Sequence, residues 1–133
     1  MNEVIALNSL MLIDDSAFDQ KICKRIVERS GFVRDLRQYT SAQDALKDLK
    51  DPQHCQPNLI LLDIDIQGMS GFDFLEAYQT AFGRSTPSRI VMLTTSMNPA
   101  DRTRADEFGF VEGFLNKPLS AAMLRELVEH HSA

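Results

Sequence analysis

The stretch Leu59-Ile60-Leu61-Leu62-Asp63 constrains this chain more than any other. Four consecutive large aliphatic residues read as a strand buried on both faces, the pattern of a central strand in a parallel sheet. The run stops on an acid. A loop follows, Ile64-Asp65-Ile66-Gln67-Gly68-Met69-Ser70-Gly71, with a second acid and two glycines. In an open parallel sheet, ligands bind at the carboxyl ends of strands. Asp63 is therefore placed as a nucleophile, a metal ligand or a helix cap.

Other segments repeat the pattern. Ser9–Ile13 is an apolar run ending on Asp14-Asp15-Ser16, and Arg89–Leu93 is another ending on Thr94-Thr95-Ser96. Phe110–Leu115 leads into Asn116-Lys117-Pro118, while Phe32–Tyr39 mixes polar with apolar residues as an edge strand does. Helical spacing fills the gaps. Phe18, Ile22, Ile26 and Val27 follow a cap at Asp15 or Ser16 and stop at Ser30-Gly31. Ala42, Ala45, Leu46 and Leu49 follow Thr40-Ser41 and stop at Asp51-Pro52. Phe72, Leu75, Tyr78 and Phe82 form a third set ended by Gly83, and Arg84–Ser88 reads as loop. A short charged helix spans Asp101–Phe108 before Gly109, and Ser120 caps a last one with Met123, Leu124, Leu127 and Val128 inward. Five strands alternating with five helices predict an α/β fold: a five-stranded, doubly wound parallel sheet.

At 133 residues, the chain is expected to form one domain over 1–133, with no output domain. The net charge of −5 and the absence of a basic run argue against nucleic-acid binding. No stretch is long and apolar enough to span a bilayer, and the first twenty residues lack Lys and Arg. A cytoplasmic location without a signal peptide is the expectation. Cys23 and Cys55 have no metal-type spacing and read as free thiols. His54 reads as ordinary loop surface, and His130-His131 as a fraying terminus.

The strand ends together carry Asp14, Asp15, Asp63, Thr94 and Lys117. Three convergent carboxylates require a cation, and Mg²⁺ prefers carboxylate, water and phosphate oxygens. A hydroxyl and an ammonium are what a phosphoryl oxygen needs, and aspartate is able to form an acyl phosphate. This is a phosphoryl-transfer constellation, working by positioning and charge neutralisation.

With those residues in place, the chain resembles the response-regulator receiver domains of two-component signalling along essentially its whole length. The resemblance rests on Leu12-Ile13-Asp14-Asp15-Ser16, Leu61-Leu62-Asp63 with Gly71 eight residues on, Met92-Leu93-Thr94, and Phe114-Leu115-Asn116-Lys117-Pro118. It implies a flavodoxin-like strand order 2-1-3-4-5. It also implies that Asp63 is the phosphoacceptor and that Asp15 and Asp63 hold Mg²⁺ (or Mn²⁺), with help from the Asp65 carbonyl and, through water, Asp14. Thr94 and Lys117 would contact the phosphoryl group, Phe114 would be a switch aromatic, and Asp65 and Ser96 would flank the path of attacking water. The implied partners are a histidine kinase or histidine phosphotransfer protein and an unidentified downstream protein target. The face from about Asn98 to Val128 would carry the change. Two departures stand out: Ile66-Gln67 replaces the family's Met-Pro pair, and a carboxylate sits at Asp65.

A binding module with the same fold but no phosphorylation is one alternative. A second follows from Asp63-Ile64-Asp65, since haloacid-dehalogenase-type phosphatases also end a strand on Asp-x-Asp. In those enzymes, however, the acid strand comes first in the chain; here it is the third.

Overall fold

The computed structural model describes residues 7–83 and 86–132. Its strands are β1 (Leu7–Ile13), β2 (Val33–Tyr39), β3 (Leu59–Leu62), β4 (Arg89–Thr94) and β5 (Val111–Asn116). The helices are α1 (Ala17–Ser30), α2 (Ala42–Lys50), α3 (Gly71–Phe82), α4 (Pro99–Asp106) and α5 (Ala121–Ser132). All four strand pairings are parallel and the order is β2-β1-β3-β4-β5, as expected.

Alternation along the strands divides the core in two. Met11, Ile13, Ile60, Leu62, Ile90 and Met92 face α2, α3 and α4, meeting Ala45, Leu49, Phe74, Tyr78 and Ala105. Leu10, Leu12, Leu59, Leu61, Val91 and Leu93 face α1 and α5, meeting Cys23, Val27, Leu124 and Val128. All four residues of β3 are buried, which explains its unbroken aliphatic run.

Several boundaries shift from the sequence reading. The short helix begins earlier, at Pro99, because Asn98 caps it and proline suits the first helical position. It ends at Asp106, so Phe108 packs from the turn that follows. Phe18, which shares helical spacing with Ile22 and Ile26, is 71% exposed. Gln20, Cys23 and Val27 are the buried residues of α1, and the Phe18–Ile22–Ile26 stripe flanks them. Gln20 is used structurally: its amide nitrogen donates to the Asp14 and Tyr39 carbonyls, each at 2.9 Å, joining the ends of β1 and β2.

His54 is also more than surface. Its Nδ1 lies 2.7 Å from Oδ1 of the buried Asp48, which also receives Tyr39 Oη at 2.5 Å and Arg37 at 3.2 Å. The Cys55 carbonyl accepts from the same Arg37. Both cysteines are free, Cys23 buried and Cys55 exposed. The loop expected over 84–88 lies partly outside the described residues, as do the His130 and His131 side chains. No helix among the described residues is long and apolar enough to cross a membrane.

Candidate functional site

Register brings the acids together. Leu12 pairs with Leu61 and Ile13 with Leu62, so β1 and β3 end level and release Asp14 and Asp63 side by side. The Asp63 amide still donates to the Ile13 carbonyl, at 3.0 Å. Oxygens of Asp14, Asp15 and Asp63 lie within 4.8 Å of one another. Asp14 and Asp63 are buried and Asp15 is exposed.

Each carboxylate is oriented by a nearby amide. Asp14 Oδ1 accepts from Ser16 N at 2.9 Å, and Asp63 Oδ1 from Ile64 N at 2.7 Å. Asp15 Oδ2 accepts from Gln67 N at 3.0 Å. This last bond uses the departure noted in the sequence: a proline at position 67 has no N–H to give. Gly71 closes the loop from behind, donating to the Ile64 carbonyl at 2.8 Å. A Cβ on Gly71 would sit 2.3 Å from the Asp63 carbonyl oxygen, so only glycine fits.

Lys117 enters from the end of β5, where its amide donates to the Thr94 carbonyl at 2.9 Å. Its Nζ lies 2.9 Å from Asp63 Oδ2, 2.8 Å from Asp19 Oδ2 and 2.6 Å from Asp14 Oδ2. The first two contacts are hydrogen bonds. The third is an ion contact off the hydrogen-bonding direction, which leaves Asp14 Oδ2 buried without a hydrogen bond. Burial would lower the Lys117 pKa, but Asp14, Asp19 and Asp63 outweigh it and hold the ammonium charged above its usual range. Burial pushes the Asp14 carboxyl up, against the opposing pull of Lys117.

Thr94 is fully buried, and its hydroxyl accepts from Ser96 N at 3.2 Å. The Ser96 hydroxyl donates to Asp101 Oδ2 at 2.5 Å. Asp65 is exposed and lines a shallow cleft with Gln67, Ser70, Asp101 and Arg104. Phe114 is half-buried against the α4-side core, with the Arg102 guanidinium 5.9 Å from its ring centroid. Asp19 is the site residue that sequence reading missed. Its only signal was an acid in the first turn of a helix, which helix-dipole stabilisation already explains.

A divalent cation fits this donor set. The oxygens are hard, closely grouped and anionic, and Asp14 Oδ2, buried in an ion contact with Lys117 but without a hydrogen bond, keeps acceptor capacity that coordination would use.

A parallel sheet of this order, with clustered acids, a hydroxyl and a lysine at its carboxyl edge, has the layout of a receiver domain. Residues 10–129 match the family model described as the response regulator receiver domain, and the chain belongs to that family. It is similar to the two-component response regulator ARR9 of Arabidopsis thaliana, 32% identical with 91% of this chain and 58% of that protein covered. A protein-glutamate methylesterase/protein-glutamine glutaminase of Pyrococcus horikoshii is 28% identical, over 84% of this chain and 29% of its own length. The chain thus spans less than two thirds of the length of either relative. Among solved structures, a two-component response regulator from Cytophaga hutchinsonii superposes with a TM-score of 0.87 at 24% identity, covering 95% of this chain and 97% of that one. The chemotaxis response regulator CheY4 of Vibrio cholerae gives 0.75 at 21% identity, covering 94% and 98%. These likenesses place the fold in the same class.

Proposed function

We propose that Asp63 accepts a phosphoryl group from a phosphohistidine of a histidine kinase or phosphotransfer protein, and that the acyl phosphate changes which protein the surface binds. The observation that carries this reading is the convergence of Asp14, Asp15 and Asp63 beside the Lys117 ammonium. The chain acts as a phosphoacceptor rather than an enzyme, though it hydrolyses its own acyl phosphate. Asp14, Asp15 and Asp63 would hold Mg²⁺, with the Asp65 carbonyl as a further donor; the same oxygens suit Mn²⁺. The bound dication supplies neutralisation of the phosphoryl oxygens. Lys117 donates to the phosphoryl group, and the Thr94 hydroxyl turns toward it.

The Thr94 loop is bonded to β5: the Asn116 side-chain amide donates to the Ser96 carbonyl at 2.8 Å. Movement of Thr94 is therefore felt at Asn116 and, two residues earlier, at Phe114. The two packings of this loop and aromatic form the bistable element that phosphorylation biases, and α4, β5 and α5 carry the readout. Asp65, exposed beside the site, sets the lifetime of the acyl phosphate, and Asp65→Asn changes its decay rate.

Incubation with acetyl phosphate and Mg²⁺, followed by intact mass, tests the reading. One phosphoryl group is expected on the wild type and none on Asp63→Asn or in the presence of a chelator. Steady phosphate release without an adduct points to rapid self-hydrolysis or to a phosphatase, and neither adduct nor turnover to a pure binding module.

A further inference from the structure

Three carboxylates share the Lys117 ammonium, and they are not equivalent. Asp14 and Asp63 belong to the oxygen cluster suited to a dication; Asp19 does not. Asp19 comes from the first turn of α1, its backbone fixed by the bond from its own N–H to the Ser16 hydroxyl at 3.2 Å. From there its Oδ2 reaches Nζ at 2.8 Å, closer than Asp63 at 2.9 Å. The Lys117 side chain is 7% exposed, so water competes little with its partners.

We propose that Asp19 is a positioning residue that competes with the Asp63 site for the Lys117 ammonium and thereby restrains phosphoryl transfer to Asp63. The inference rests on the phosphoacceptor reading above. A dication on Asp14, Asp15 and Asp63 satisfies those carboxylates and leaves Asp19 as the remaining anionic partner of Lys117. An incoming phosphoryl oxygen then has to draw the ammonium from a carboxylate that lies outside the dication's oxygen cluster. Asp19 also sets a negative charge one hydrogen bond from the cation that an anionic donor needs. With acetyl phosphate, the Asp63 Oδ–P bond forms as the donor's P–O bond breaks, and acetate leaves with the electron pair. Atoms and charge balance without a further reactant. Lys117 does not change protonation; only its hydrogen-bond partner changes.

The test compares wild type with Asp19→Asn, Asp19→Ala and Asp19→Glu. The initial rate of adduct formation is followed by intact mass at saturating Mg²⁺ and limiting acetyl phosphate. Mg²⁺ affinity is measured separately by calorimetry without a phosphodonor. Asp19→Asn and Asp19→Ala are expected to accelerate adduct formation roughly three- to tenfold, the effect of removing one near charge from a partly screened site. Asp19→Glu, which keeps the charge, is expected within about twofold of wild type on the same scale. Mg²⁺ binding should weaken in Asn and Ala, because a charge is lost and the ammonium presses harder on Asp14 and Asp63. Opposite movement of rate and metal affinity is a signature that mere loosening of α1 does not produce. An Asp19→Asn rate equal to or below that of a phosphorylatable wild type overturns the proposal. A wild type that takes no phosphoryl group overturns the phosphoacceptor reading with it.

Discussion

At the scale of single residues, Gly71 has the least room for change. Its missing side chain is where the Asp63 carbonyl oxygen passes, and a Cβ would also fall 2.9 Å from Ile64 Cα. Both obstacles are backbone atoms, so the clash has no rotamer to relieve it. Gly71→Ala is expected to cost about 2–3 kcal/mol, although alanine is otherwise the better helix residue. Chemical denaturation measures it, and a neutral result would mean that the loop after β3 shifts freely. The position of Asp63 was legible because it follows from a local rule, an acid ending a buried strand; Gly71 was visible only as a loop glycine, since its contact with the Asp63 carbonyl depends on how the loop folds back. Asp19 was not legible, because its partner Lys117 is 98 residues away.

At the scale of elements, Asp48 fastens α2, β2 and the loop before β3. Burial would raise its carboxyl, but donation from Tyr39 and His54 and the charge of Arg37 prevail and hold it below the usual value of 3.8. The reciprocal effect, led by the hydrogen bond to Asp48, pushes the Tyr39 hydroxyl up to about 12. A carboxyl depressed in the folded state contributes stability that is complete above its unfolded value and is lost as pH falls through the folded one. Wild-type stability is therefore expected to drop in acid below about pH 4. Asp48→Asn should flatten that drop and cost about 2–3 kcal/mol at neutral pH, read from urea titrations at several pH values. Identical acid profiles would contradict this account. Periodicity marked α2 correctly but hid the cluster, since an acid among apolar helix positions carries no local sign of three donors arriving from elsewhere. The exposure of Phe18 was hidden for a related reason. It continues the Ile22–Ile26 stripe, yet it stands in the first turn, level with the sheet's carboxyl edge, where no sheet residue remains to cover it.

At the scale of the whole molecule, a dication held by the acid cluster would couple folding to metal binding. A dication that binds only the folded chain stabilises it by about 2.7 kcal/mol at a hundred times its dissociation constant. Mg²⁺ is accordingly expected to raise the thermal midpoint, chelator to reverse the rise, and Asp15→Asn to abolish most of it. An unchanged midpoint across Mg²⁺ concentrations would leave the cluster without a metal role. The two thiols report global opening. Cys55 is exposed, while Cys23 is buried in the α1–α5 side of the core, with burial pushing its thiol up to about 11. A thiol reagent should modify Cys55 at once and Cys23 only at the rate of unfolding; equal labelling rates would show that α1 opens by itself.

Local patterns in the chain were enough to predict the sheet, its alternation with helices and the placing of Asp14, Asp15, Asp63, Thr94 and Lys117 at strand ends. Each of these follows from patterns a few residues long: strand and helix periodicity, caps, and the residue type that ends an apolar run. Tertiary structure alone decided which oxygens meet. It gave Lys117 to three carboxylates at once, turned Ser96 toward Asp101, tied Asp15 to Gln67 and gathered Arg37, Tyr39 and His54 on Asp48. Those contacts depend on parallel register and on the depth at which each helix packs, and a buried charge takes whatever partner that geometry brings within about 3 Å.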